Sequence, residues 1–345
     1  MRNYANLCLC TVVSAAFLRP TPSPSSHLEF YEDVFHPWAV KEAPICFNET
    51  LCPKNPNYTW DGYFDYLLDK GVKNFVLGGL ALMRSDIRFL AVSNATSRWN
   101  QTGFMALREK VRARGGRLLG DIRDQQGVYG KPFNKTLFRN NVAKFVKLFP
   151  VDGFRIAGFL PYRDQTAEHV KEALETINEL GLISSIRLQP AKLDAFAKGK
   201  VGGIANITFL SLWPRYNDKN DTAAFNTDQF AVKAIRNASA AGVDPGKMVL
   251  DVPLLARSDY GSIDLGYSML IYTFHANPQG NGSWYNGQGG YYYFFSQPCA
   301  VNKIKVAHAH GLHGISLQAS LRQKGRADLF PWNKNSLFHA LIGNL

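Results

Sequence analysis

Several short stretches of this chain gather side chains that could do chemistry, and each sits near the end of an apolar run. Asp121-Ile-Arg123-Asp124 and Asp152-Gly-Phe-Arg155-Ile-Ala157-Gly-Phe159 mix carboxylates with guanidiniums, while Ser211-Leu-Trp213-Pro214 and Gln318 add an indole and an amide. Arg187 and Asp251 stand in two further apolar runs. Breaking a glycosidic or similar bond needs a carboxyl group, because an alkoxide leaves badly and a tuned carboxylic acid delivers the proton in time. Asp121, Asp124 and Asp251 are the carboxylates placed for that role. Binding asks for something else: a guanidinium fork for a carboxylate or sulfate, and an aromatic face for a sugar ring. Arg123, Arg155, Arg187, Phe159, Trp213, Gln318 and Tyr285 form that second set. The competing expectation is that a buried Arg is tolerated where it is paired, with Asp121 and Asp124 as partners in an ion-pair network.

Other constellations carry less. His308, His310 and His313 have a loosely metal-like spacing, but the first two fall at i and i+2 near a helix end and point to different faces, so no zinc site is expected. Tyr285 with Tyr291-Tyr-Tyr-Phe-Phe295 is an aromatic cluster beside Gly-rich sequence; it suits either a rim strand or a sugar-stacking platform. Gly78-Gly79 is too short to cradle a phosphate, and no Gly-x-Ser-x-Gly nucleophile elbow occurs. No metal and no cofactor are expected.

The elements that position these residues alternate along the chain. Strands are predicted at residues 28–34, 74–80, 117–122, 152–158, 183–188, 204–212, 248–254 and 314–317. Helices are predicted at 58–70, 102–114, 136–148, 165–180, 191–197, 227–241, 300–309 and 335–342. Gly71, Gly115, Gly181, Gly242 and Gly311 each follow a helical pattern, where a left-handed cap belongs. β-then-α units with no break in composition argue for one closed (β/α)8 barrel over residues 28–345, a single α/β domain. An open doubly wound sheet is the alternative. Strand parity would put Asp121, Arg123, Arg155, Ala157, Phe159, Ser211, Trp213 and Gln318 on the inner wall. Residues 258–296 read as a long loop over the C-terminal face, where barrel sites lie.

Three segments carry a resemblance to a family. Ala240-Ala-Gly-Val-Asp-Pro-Gly-Lys-Met-Val-Leu-Asp-Val-Pro-Leu-Leu-Ala-Arg-Ser258 resembles the strand-seven segment of family-18 chitinases. Phe149-Pro-Val-Asp-Gly-Phe-Arg-Ile-Ala-Gly-Phe159 resembles their D-G-x-D-x-D-x-E strand, and Gly311-Leu-His-Gly-Ile-Ser-Leu-Gln318 with Ser336-Leu-Phe-His-Ala-Leu341 their last strand and helix. In that family the Glu of the signature is the general acid. The neighbouring Asp orients an N-acetyl group whose oxygen is the nucleophile, outside the two-carboxylate scheme. On this sequence those signature positions read Arg155, Ala157 and Phe159, and only Asp152 and Gly153 survive. The family's Met-x-Tyr-Asp becomes Ser211-Leu-Trp213-Pro214, the Trp under the central sugar becomes Gln318, and a Ser-x-Gly-Gly element becomes Asp121-Ile-Arg123-Asp124. The resemblance therefore implies the fold without its chemistry. The expectation is a non-catalytic binder of chitin-like, N-acetylglucosamine-containing or acidic glycans. A hydrolase with a displaced acid and a structural glycoprotein shell are the alternatives.

The chain's first residues suggest a compartment. Arg2 precedes an apolar run over 7–18 with small residues at Ser14, Ala15 and Ala16, which reads as a signal peptide over 1–16. A Pro/Ser-rich linker follows over 17–27. Asn48, Asn57, Asn94, Asn100, Asn134, Asn220, Asn237 and Asn281 begin sequons expected to carry glycans; Asn206, inside an apolar stretch, is expected to be buried and bare. Cys46 and Cys52 are expected to pair, leaving Cys299 as a thiol. No later run is apolar and long enough for an integral membrane segment. The net charge of +12 favours anionic partners, but Lys and Arg are spread along the chain, against a nucleic-acid footprint. Oligomeric state is not legible.

Overall fold

The computed structural model describes residues 27–34, 59–83, 85–89, 101–124, 133–157, 165–190, 193–215, 218–260, 264–287, 289–318 and 328–345. The expected signal peptide and linker, Cys46 and Cys52, Asn48, Asn57, Asn94, Asn100 and Phe159 lie outside these.

The chain order begins β1 (Glu29–Val34), α1 (Trp60–Asp69), β2 (Asn74–Met83), β3 (Asp86–Phe89), α2 (Gln101–Ala113), β4 (Leu118–Asp124), α3 (Lys135–Leu148) and β5 (Gly153–Ala157). It continues α4 (Gln165–Glu179), β6 (Ile183–Leu188), α5 (Leu193–Lys198), β7 (Ile207–Ser211), α6 (Lys219–Ala224), α7 (Asp228–Ala240) and β8 (Met248–Pro253). The remainder is β9 (Leu255–Ser258), β10 (Asp264–Gly266), α8 (Tyr267–Thr273), β11 (Ser283–Tyr285), β12 (Tyr291–Phe294), α9 (Gln297–Ala309), β13 (Gly314–Gln318) and α10 (Leu337–Ile342). Strands β1, β2, β4, β5, β6, β7, β8 and β13 pair parallel in that order, and β13 returns to β1 to close the barrel. This is a single (β/α)8 domain, as the alternation predicts.

Strand parity divides the barrel into two cores. Outward residues such as Phe75 and Phe154 pack under Phe64, Phe104 and Phe138 of the surrounding helices. Each such side chain contributes about 1.5–3 kcal/mol on burial. Inward residues Tyr31, Val76, Leu119, Phe209 and Val249 form a separate cluster. The five glycines expected as helix caps take φ between 62 and 94°, the left-handed region that a Cβ disfavours.

The last helix is pinned by one carboxylate. Asp328 accepts from the amides of Leu329 and Leu337 through Oδ1 (2.8 and 2.9 Å) and from Phe338 through Oδ2 (2.8 Å). The amides at the start of α10 have no partner within the helix, so this side chain and Ser336, which accepts from His339 (2.9 Å), satisfy them. Phe338 then meets Phe30 of β1 at 6.1 Å, closing the helical layer over the seam between the first and last strands.

Some expectations need correction. Residues 258–296 are not a bare loop: they build an antiparallel sheet, β10-β9-β12-β11, with α8 inserted. Short three- and four-residue strands are too brief to show a period-2 pattern in so Gly- and Tyr-rich a stretch. Helix α6 is absent from the reading because it is short and polar; it forms on an Asp218 cap that accepts from the Asp221 amide. The strand expected over 204–212 begins only at Ile207, after a tight turn at Val201–Gly203. Consequently Asn206 is exposed, not buried. Its Oδ1 accepts from the Ser184 amide at 2.9 Å on the rim where β7 starts. Among the described residues no helix is long and apolar enough to cross a membrane.

Candidate functional site

Inward positions of six barrel strands meet above the lower aromatic layer. Arg155 of β5 forks onto Asp33 of β1, Nη1 to Oδ1 and Nη2 to Oδ2, both 2.7 Å. Its Nε reaches Asp121 Oδ1 of β4 at 2.6 Å, and its guanidinium lies 4.7 Å over the Phe209 ring. Arg187 of β6 donates from Nη2 to Asp33 Oδ2 and from Nε to Asp251 Oδ2 of β8, the latter at 3.2 Å. Ser316 Oγ of β13 donates to Asp251 Oδ1 at 2.6 Å. Arg155 is 1% exposed, Asp121 3% and Asp251 0%, so no ligand in the barrel mouth touches them without displacing the network.

The electrostatics follow from this enclosure. Burial alone would raise the Asp121 carboxyl, but the Arg155 and Arg187 guanidiniums outweigh it and hold it below the usual range. Burial would likewise lower Arg155, and Asp121 and Asp33 more than reverse that. Asp251 is different. Burial pushes it up to about 6, with Arg187 offsetting part and the Asp33 charge adding back. The carboxylates expected as displaced acids are thus a charge-locked Asp121 and an enclosed Asp251; Asp124 ends β4.

Two further groups are raised outside the barrel interior. Burial takes Asp328 to about 7 against its amide donors, and burial, then the Asp328 and Asp33 charges, raise Glu32 well above the carboxylate range. Each of Asp251, Asp328 and Glu32 keeps a proton in the folded chain where the unfolded chain, with a pKa near ~4, has released it. Their stabilisation is therefore complete below about pH 4 and is lost as pH rises, through about 6 for Asp251 and about 7 for Asp328. His313 opposes them, since burial and Arg117 lower it, so its contribution is lost on acidification. With three groups against one, thermal unfolding should show a higher midpoint near pH 5.5 than near pH 8 (about 6 and 7 being the titrating values). A midpoint that rises with pH would refute this assignment.

Above the ion network lies a second layer in which Ser211 and Gln318 are buried and Trp213 is half-buried. Gln318 Oε1 accepts from Ser211 Oγ (2.7 Å) and from Trp213 Nε1 (2.9 Å), which fixes the indole at the end of β7. Arg257 of β9 lies 5.6 Å over the Trp213 ring, donates to the Pro214 carbonyl (3.1 Å) and forks onto Asp264 (2.8 and 3.0 Å). In the small sheet, Arg257 stands opposite Tyr293, and Tyr285 opposite Tyr291. Parity therefore puts Tyr285, Tyr291, Tyr293 and Arg257 on one face. The other face, Trp284, Tyr292 and Phe294, packs on Phe274 and Tyr267. Tyr285 is 50% exposed and Tyr291 43%, with ring centroids 5.2 Å apart. An aromatic shelf thus runs from the sheet to Trp213.

The structure separates the binding candidates. Arg155 and Arg187 are in the closed ion network with Asp121 and Asp251; Trp213 and Gln318 are together in the layer above it, and Tyr285 is on the shelf. Arg123 is half-buried on β4, its charge acting on Asp121, and Ala157 is buried at the end of β5. Asp33, the acceptor for both guanidiniums, was not singled out from sequence. The signal was present in β1, where Asp33 shares parity with Tyr31. The survivors of the chitinase signature hold the strand: Asp152 grips Arg108 of α2 (3.0 and 2.5 Å) and accepts from the Leu118 amide (2.7 Å). A Cβ on Gly153 would lie 2.0 Å from the Ile183 carbonyl oxygen. His313 meets the Tyr31 hydroxyl at 3.0 Å, and that hydroxyl accepts from Arg117 at 2.9 Å. His310 instead turns to the Val306 carbonyl. Cys299 is free and half-buried.

A barrel of this topology, with an inserted antiparallel sheet after its seventh strand, is a chitinase-like fold. Solved structures similar to it include a chitinase from Bacteroides thetaiotaomicron (TM-score 0.63, 12% identity, covering 92% of this chain and 96% of that one). A chitinase-like agglutinin from Robinia pseudoacacia matches at TM-score 0.58 and 12% identity over 84% of this chain and 98% of that one. The catalytic domain of an Ostrinia furnacalis group II chitinase, in complex with (NAG)5, matches at 0.55 and 13% over 84% and 89%. No protein-family model and no curated protein sequence matches the chain. The family-18 chitinase-like fold is what these likenesses establish.

Proposed function

We propose that this protein is a secreted chitinase-like glycan-binding protein without hydrolase activity. The observation that carries the reading is the state of β5: where the chitinase signature supplies carboxylates, Arg155 stands instead, spent on Asp33 and Asp121. A general acid must reach the leaving oxygen within about 3 Å, directly or through one water, and neither Asp121 nor Asp251 is exposed enough to do so. The binding half rests on Trp213 and the tyrosine shelf, which offer flat apolar faces to pyranose rings. Among the described residues Gln318 Nε2 makes no hydrogen bond, leaving an amide donor beside the indole whose Nε1 donates to Gln318 Oε1. With Arg155 and Arg187 already neutralised, the mouth favours a neutral sugar over an acidic one. The agglutinin and the (NAG)5 complex among the similar structures point to N-acetylglucosamine oligomers.

A glycan array holding chitin oligomers beside sulfated and uronic-acid glycans tests this, with a fluorogenic chitooligosaccharide assay on the same preparation. Binding of the neutral oligomers without turnover is expected. Trp213→Ala should weaken that binding several-fold, about 1 kcal/mol for one lost aromatic contact. An unchanged affinity would remove Trp213 from the site.

A further inference from the structure

A cavity of about 580 Å³ lies outside the barrel, between α5 and α7. Leu193, Phe230 and Ala234 contribute apolar wall; Asp194, Lys233 and Asn237 supply polar groups. Its volume is in the range of about 300–1,000 Å³ common for small-molecule sites. Phe230, Ala234 and Asn237 are spaced i, i+4 and i+7, so they share one face of α7.

Asn237 is distinctive among the described sequons. It is exposed, and its side-chain amide makes no hydrogen bond among the described residues. The Oδ1 atoms of Asn134, Asn206 and Asn281 are each engaged by backbone amides. Asn220 is exposed too, but it lines neither this cavity nor the groove beside it.

We infer that the N-linked glycan of Asn237 folds back into the α5–α7 cavity, its first N-acetylglucosamine resting against the wall that Leu193, Phe230 and Ala234 form. This rests on the secretory route proposed above. The oligosaccharide arrives from a lipid-pyrophosphate donor: the Asn237 Nδ2 to sugar C1 bond forms, the C1–O bond to pyrophosphate breaks, and an amide proton leaves. Transfer to the unfolded chain would let α5 and α7 close around the sugar. The flat face of the pyranose then packs on that wall, and Asp194 and Lys233 are placed to hydrogen-bond its hydroxyls. The glycan completes the outer wall as a side chain would.

The test uses the full chain expressed in a glycosylating secretory host and in a bacterium. Glycopeptide mass spectrometry reads occupancy, and thermal unfolding compares Asn237→Gln and Ser239→Ala, which remove the same sequon by different residues, with Asn220→Gln. Expected are glycan at Asn237, a melting point lowered by about 2 °C or more in both sequon-237 variants from the secretory host, and no such loss for Asn220→Gln. In the bacterial protein all variants should match the parent. Occupancy elsewhere but not at Asn237, or equal melting points for the Asn237 and Asn220 variants, overturns this inference alone. An occupied chain nowhere overturns it together with the secretory reading.

Discussion

Replacing Arg155 with alanine is expected to cost the barrel about 3–5 kcal/mol, the penalty for breaking a buried ion network and leaving its partners uncompensated. Asp33 and Asp121 would be left to share Arg187, at 8% exposure and with Asp251 also to satisfy, and Asp121 would keep in addition the Arg123 charge. That is a large share of the roughly 5–15 kcal/mol by which a domain is stable. Arg155→Lys should recover little, because one ammonium cannot form three directed bonds to two carboxylates. Urea unfolding of the two variants checks this. If Arg155 were instead a ligand-binding residue, alanine would leave the midpoint untouched and abolish binding of anionic glycans.

Asp328→Ala is expected to be nearly as severe, for a different reason. It would strand the Leu329, Leu337 and Phe338 amides, whose residues are all under a tenth exposed. At about 1–3 kcal/mol for each unsatisfied buried donor, the sum is about 3 kcal/mol or more. The loss should be local at first: α10 frays from β1, and amide hydrogen exchange over 337–342 accelerates before the barrel opens. Uniform acceleration across the chain, or none, would contradict the capping role. Because Asp328 holds its proton to about pH 7, removing it should also flatten the decline in stability between neutral and alkaline pH.

The barrel was legible because its signals are long. Apolar runs such as those of β2 and β8 are buried on both faces, and the capping glycines mark the helix ends between them. The small sheet was not legible: β10 and β11 span three residues each, and what holds them is pairing with β9 and β12 across the loop. At the site, parity foresaw that Asp121, Arg155 and Gln318 would face inward. It could not say at what depth. Arg155 is spent at the level of Asp33, while Gln318 and Trp213 are a layer higher, a distinction set by strand stagger. The role of Asp33 was not legible because β1 lies outside the segments that carry the family resemblance, and an Asp in a strand gives no cue to its partners across the barrel. The exposure of Asn206 was missed for a simpler reason, since an apolar neighbourhood in sequence does not show where a strand begins.

Native mass spectrometry of the protein incubated with a defined N-acetylglucosamine oligomer tests binding without cleavage in one experiment. The expected spectrum holds a complex with the intact oligomer and no shorter sugars over long incubation. Accumulating fragments, especially ones that vanish with Asp121→Asn or Asp124→Asn, would show a working acid despite the enclosure of Asp121 and Asp251; free protein alone would leave the barrel as a shell.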